Sequence, residues 1–237
     1  MTLIDSVLNV PLRIAIAMLS GRFLRSETRP EHLIDLAYGN ESLRVLVVGA
    51  GLAAGYGART QSRALPGQLA MALSSRSGRG VVVQTRAQPF LPLRDTIELL
   101  EPQGGRGYDL VVFAPGFTEM TRASSFRWRK ELFELVLYLN RTLPDRGRIV
   151  LAGLPEPRKR GVLEWVGRRG IDAANAVMTD VAFSVPRAVF VPTPPFSTLK
   201  PSGGSFDERY YVRCAETIVE AVLPELRPAP VTSSARR

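Results

Sequence analysis

The segment Gly49-Ala50-Gly51-Leu52-Ala53-Ala54-Gly55-Tyr56-Gly57 follows the apolar run Leu43–Val48 and is the part of this chain best suited to chemistry. A strand that runs into glycines lets a ligand or a second backbone come close. A loop of this kind that opens a helix can hold phosphate on its amide groups. Here the next helix is predicted to begin near Ala64, well past the glycines, and no Asp or Glu waits at the end of the following strand to take a ribose. Two charged residues, Arg86 and Glu119, are expected just past strand ends, facing the same cleft. Either they pair and plug it, or Arg86 receives an anionic ligand. Gly49, Gly51, Arg86, Gly116, Thr118 and Glu119 are therefore the ligand-binding candidates. Ser62, Ser197, Ser202 and Ser205 fall near the predicted rim, but a serine needs a base within hydrogen-bond reach to attack a carbonyl. The one histidine, His32, is predicted to lie in the first turn of a helix before the first main strand, far from that rim.

The elements that would position these residues alternate. Apolar runs LRVLVVG, GVVVQT, YDLVVFAPG, GRIVLAGLP and AVFVPT read as five strands. Between and after them, LPGQLAMALSSR, LRDTIELLE, SSFRWRKELFELVLYLNRTL, VLEWVGRRGIDAANAVMTDVA and DERYYVRCAETIVEAVL have helical spacing. Near-continuous apolar strands separated by helices call for a parallel sheet covered on both faces. The expected fold is α/β: three layers, α/β/α, around a flavodoxin-like five-stranded parallel sheet. In the long fourth-strand crossover helix, Phe126, Leu132, Phe133, Val136, Leu137 and Leu143 are expected to face the sheet. Ligands in such sheets bind beyond the carboxyl ends of the strands, which singles out the loops 49–59, 84–94, 115–122 and 193–206. Residues 1–40 form a predicted helical extension, 41–225 the domain, and 226–237 a polar tail with the composition of a disordered segment.

Several blocks resemble the SGNH (GDSL-type) hydrolases. The loop 49–57 matches the rhythm Gly-Asp-Ser-Leu-x-x-Gly-Tyr-Gly, "YDLVVFAPGFTEMTR" is similar to that family's third block, and "YVRCAETIVEAV" to its last helix. The resemblance spans about residues 43–223 and implies the same fold. Active members use a block I serine as nucleophile, a histidine base oriented by an aspartate three residues earlier, and an oxyanion site. That site is made by the serine amide, a block II glycine amide and a block III asparagine. At the matching positions this chain carries Ala50 and Gly51 for the Asp and Ser, and Thr118 and Glu119 for the Asn and the residue after it. Ser205 and Ser202 fall near the His and Asp. No glycine lies between Gly80 and Gly104, so the block II donor is missing as well. These positions are vestigial, and none is expected to be catalytic. The resemblance therefore implies a pseudoenzyme, a binding or partner-regulating subunit whose partner is an active homologue. The alternatives are a divergent esterase or acyltransferase with a rearranged site, and a phosphoryl-ligand or nucleotide site at the glycine loop.

Composition narrows the classes further. One cysteine, Cys214, excludes an intrachain disulfide, and one cysteine with one histidine excludes a Cys/His zinc site, so neither metal nor cofactor is expected. The formal charge is +9, carried almost wholly by arginine. The basic residues are dispersed rather than set in a stripe with aromatics, which disfavours nucleic acid and leaves an acidic partner or an anionic membrane surface. "VPLRIAIAML" is too short and too interrupted by Arg13 to span a bilayer, and Arg22 and Arg25 follow it rather than a cleavage site. Residues 1–25 are expected either to pack on the domain or to lie in a membrane interface with the arginines toward headgroups. The expected location is cytoplasmic, with peripheral attachment to the inner membrane face.

Overall fold

The computed structural model describes residues 34–36, 42–55, 58–88, 91–100, 103–116, 126–155, 162–195 and 208–226. Six strands appear: β1 Ile34–Leu36, β2 Leu43–Gly49, β3 Val81–Ala87, β4 Leu110–Ala114, β5 Arg148–Ala152 and β6 Ala188–Val191. Among the described residues five α-helices accompany them, besides the short 3-10 turn Gln61–Arg63: α1 Leu65–Ser77, α2 Leu93–Leu100, α3 Phe126–Thr142, α4 Val162–Ser184 and α5 Glu208–Leu226. The sheet order is β1-β3-β2-β4-β5-β6. Strands β2 to β6 are all parallel, in register Val45↔Val83, Val47↔Val112, Val112↔Val150 and Leu151↔Phe190. This is the five-stranded parallel core that the apolar runs predict, in a three-layer SGNH hydrolase-like arrangement.

The sheet also has a strand that the sequence reading missed. Ile34–Leu36, inside the stretch expected to be a helical extension, runs antiparallel to β3 with Ile34 opposite Val83 and Leu36 opposite Val81. The physical reason is the edge of β3, whose amide and carbonyl groups on that side would otherwise lack ladder partners. Three residues are too few for periodicity to signal. The rest of the extension, including His32 and residues 1–25, lies outside the described residues, as does the tail from 227.

Strand alternation sorts the core into two halves. Leu43, Val45, Val47, Val81, Val83, Leu110, Val112, Ala114 and Val150 pack with α1 and α5. Leu46, Val48, Val111, Phe113, Ile149 and Leu151 pack with α2, α3 and α4 on the other face. Val45 to Val48 are fully buried, because β2 lies between two neighbours and under helices on both sides.

Helix α3 is present where expected but rotated about its axis from the expected phase. Trp128, Leu132, Leu135, Val136 and Leu139 are its buried residues. Phe126 is 82% exposed and Phe133 38%, so two of the residues expected to face the sheet point outward instead. Choosing Trp128 for the inner face buries the larger ring and sets the 3.6-residue phase for the rest.

Candidate functional site at the strand carboxyl ends

Strand β2 ends at Gly49, and the reason is steric. Its φ is +124°, and a Cβ there would stand 2.2 Å from the carbonyl oxygen of Ala114. The chain threads between its neighbours at this point. The Ala50 amide donates to Ala114 O at 2.9 Å, and the Gln88 amide donates to Gly49 O at 3.1 Å. The loop then closes in tight turns, Ala53 N to Ala50 O at 2.9 Å and Gly55 N to Leu52 O at 3.2 Å. Ala50, Leu52 and Ala53 are buried.

Gly51 is the residue at which the sequence resemblance expects a nucleophile. It is left-handed, with φ +51°, and it packs against the end of β4: a Cβ would sit 3.4 Å from Pro115 O and 3.6 Å from Gly116 Cα. The structure thus brings Gly49, Ala50, Gly51 and Gly116 together at one point. A Cβ at Gly51 would make ordinary contacts but at a φ that side chains rarely adopt. Ala50 is 1% exposed, and a lone carboxylate buried there would be costly.

Arg86 departs from expectation. It lies within β3, opposite Val48, rather than past the strand end. Its guanidinium donates to the carbonyls of Leu99 and Leu100, both at 3.2 Å, and to Gln103 Oε1 at 2.6 Å. It caps the carboxyl end of α2, where unpaired carbonyls and the helix dipole favour a cation. The side chain is engaged there rather than across the cleft. Its expected partner Glu119 lies outside the described residues, as do Thr118, Ser197, Ser202 and Ser205. Ser62 is described and exposed, and its hydroxyl pairs with Thr60 Oγ1 at 2.8 Å on the approach to α1.

Three residues that sequence reasoning missed hold the other side of the rim. Asn175 of α4 clasps the residue after β5 in both directions. The Leu154 amide donates to its Oδ1 at 2.8 Å, and its Nδ2 donates to Leu154 O at 3.1 Å. Thr193, just past β6, donates from Oγ1 to Gly153 O at 3.0 Å. Tyr210, in the first turn of α5, is fully buried, with Tyr211 edge-on to it at 6.5 Å. The available signal was an amide set among alanines in "DAANAV", on a helix whose neighbours are apolar.

Two buried titratable groups near this rim are held neutral. Burial raises the Tyr210 phenol well above its ordinary value, with nearby Cys214 adding to the rise and Thr193 opposing it. Burial pushes the Cys214 thiol from 9.0 up to about 12, against an opposing hydrogen bond with Tyr210. Neither is a base or a nucleophile at neutral pH, since the thiolate is the reactive form of cysteine. Among the described residues, no group of three or more His, Cys, Asp or Glu is placed to hold a metal ion.

No protein-family model matches the chain, and no curated protein sequence does. Solved structures do share its fold. A lipase from a goat-rumen metagenome superposes with a TM-score of 0.65 at 14% identity, over 78% of this chain and 100% of that one. An extracellular lipase of Streptomyces rimosus gives 0.56 at 16% identity, over 76% and 99%. A lipase/acylhydrolase of Enterococcus faecalis gives 0.56 at 15% identity, over 79% and 98%. At such identities the likeness establishes the fold.

Proposed function

We propose that this chain is a non-catalytic member of the lipase and esterase fold, acting as a binding or partner-regulating subunit. The observation that carries this reading is Gly51. The resemblance expects a nucleophile at position 51, and the glycine there has no side chain to attack with. The chain has one histidine, ahead of the sheet's central strands, so a serine elsewhere on the rim has no imidazole base nearby in sequence. Removing single members of such a catalytic unit costs orders of magnitude in rate, and here several are missing together. At the described strand ends, residues 49–53, 114–116 and 152–155 are buried, and none of them carries a nucleophilic side chain.

A second reading has an observation of its own. The solved structures that share this fold are described as lipases, esterases and an acylhydrolase. That favours an acyl hydrolase or acyltransferase with a rearranged site, and Ser202 and Ser205 are the residues it would draw on. Hydrolysis of a panel of short- and long-chain p-nitrophenyl esters separates the two. The first reading expects no turnover above a heat-killed control. Saturable turnover that Ser202→Ala or Ser205→Ala abolishes would replace it with the second.

A further inference from the structure

Helix α3 carries an outer face that the proposed function does not use. Phe126, Lys130 and Phe133 recur at i, i+4 and i+7, forming one stripe opposite the buried Trp128, Leu132 and Leu139. Phe126 is 82% exposed and Phe133 38%, and on the neighbouring α4 Phe183 is 95% exposed. The other large hydrophobic exposed among the described residues is Met71, on the opposite layer. Exposed aromatics are thus confined to the α3/α4 side.

Helix α3 is also more basic than acidic. α3 carries Arg127, Arg129, Lys130 and Arg141 against Glu131 and Glu134. α5, on the opposite layer, carries Glu208, Glu216, Glu220 and Glu225 against Arg209 and Arg213, with Glu208, Glu220 and Glu225 paired to Arg63, Arg76 and Arg148. On α3, Arg127 pairs with Glu131 at 2.8 Å and Lys130 with Glu134 at 3.7 Å, and the two cations remain 75% and 65% exposed. Exposed pairs of this kind hold weakly and leave the cations available to other anions. A crossover from β4 to the parallel β5 begins at the carboxyl end of the sheet, so the first turn of α3 lies on the same side as the glycine turn.

We infer that the outer face of α3 seats this protein on an anionic phospholipid surface. The phenylalanines enter the headgroup boundary, while Arg127 and Lys130 meet lipid phosphates and α5 faces away. Single rings spaced along a helix, with a cation between them, suit a planar interface of mixed polarity. They do not form the contiguous apolar patch of a standard protein interface. Contact between α3 of one copy and the acidic α5 of another would be heterologous and would build rings or filaments. That is the competing outcome.

The test is flotation of the full chain with vesicles of phosphatidylcholine plus phosphatidylglycerol, and with phosphatidylcholine alone. Binding is expected only to the anionic vesicles and should weaken with added salt. Arg127→Gln with Lys130→Gln should lower partitioning by about tenfold or more, and Phe126→Ser with Phe133→Ser by a similar factor. Met71→Ser should leave it unchanged. All these positions are exposed, so unchanged melting temperatures are expected and verify folding. The inference is overturned by wild-type protein that ignores anionic vesicles. It is equally overturned by binding that both double variants retain, which would move the contact elsewhere in the chain. Light scattering that finds an oligomer dissolved by the α3 variants, with no vesicle binding, would make the partner a second copy.

Discussion

At the scale of single residues, two glycines two positions apart serve different ends. Gly49 is required by the backbone: its φ is +124° and Ala114 O fills the space a Cβ would need. Gly51 is constrained by its φ of +51° alone, since ordinary van der Waals space surrounds it. Gly49→Ala should therefore cost roughly 3 kcal/mol, combining strain and clash. Gly51→Ala should cost only about 1 kcal/mol, the left-handed penalty of an ordinary residue. Denaturant unfolding of the two variants checks this; equal losses would mean that the turn is built differently. The buried thiol gives a second expectation. Cys214 has a folded value of about 12 against an ordinary 9.0, so the fold holds the neutral form. Its contribution to stability is intact below about pH 9 and is lost as pH rises towards 12. Melting temperature should fall over that range, less steeply in Cys214→Ala than in the wild type when each is referred to its own value at neutral pH. Tyr210, also raised by burial, acts in the same direction.

At the scale of elements, hydrophobic pattern carries far, and its failures have physical causes. The parallel strands and the helices were legible because strands buried on both faces are uniformly apolar, and helices between them keep a 3.6-residue period. The edge strand Ile34–Leu36 was not legible, since pairing with β3 decides it and three residues carry no period. The phase of α3 was misread because Phe126 and Phe133 obey helical spacing as well as Trp128 does. Packing against the sheet chose between them. Arg86 shows the same limit at the site: its position near a strand end was legible, but not that α2 would end within its reach. Arg86→Ala removes the donor from the Leu99 and Leu100 carbonyls and should destabilise the domain by about 1 kcal/mol through the end of α2. An unchanged melting temperature would show that those carbonyls find other donors. The Asn175 clasp on Leu154 lay beyond sequence reasoning, because it joins residues 21 positions apart on elements whose separation only the fold sets.

At the scale of the whole molecule, the glycine turn, the parallel sheet and the two helical layers form the frame on which the solved lipases of this fold are built. The resemblance visible in the sequence blocks led to that fold correctly. At the described strand ends, residues 49–53, 114–116 and 152–155 are small or apolar and buried, while α3 and α4 carry the exposed Phe126, Phe133 and Phe183. Under the proposed reading, binding runs through surfaces around a silent centre. The most direct measurement is intact mass after incubation of the purified full chain with a serine-reactive fluorophosphonate. An unmodified mass, beside quantitative labelling of an active esterase in the same tube, is the predicted result. A single stoichiometric adduct mapping to one serine would contradict the account and make this chain a hydrolase with its own arrangement of nucleophile and base.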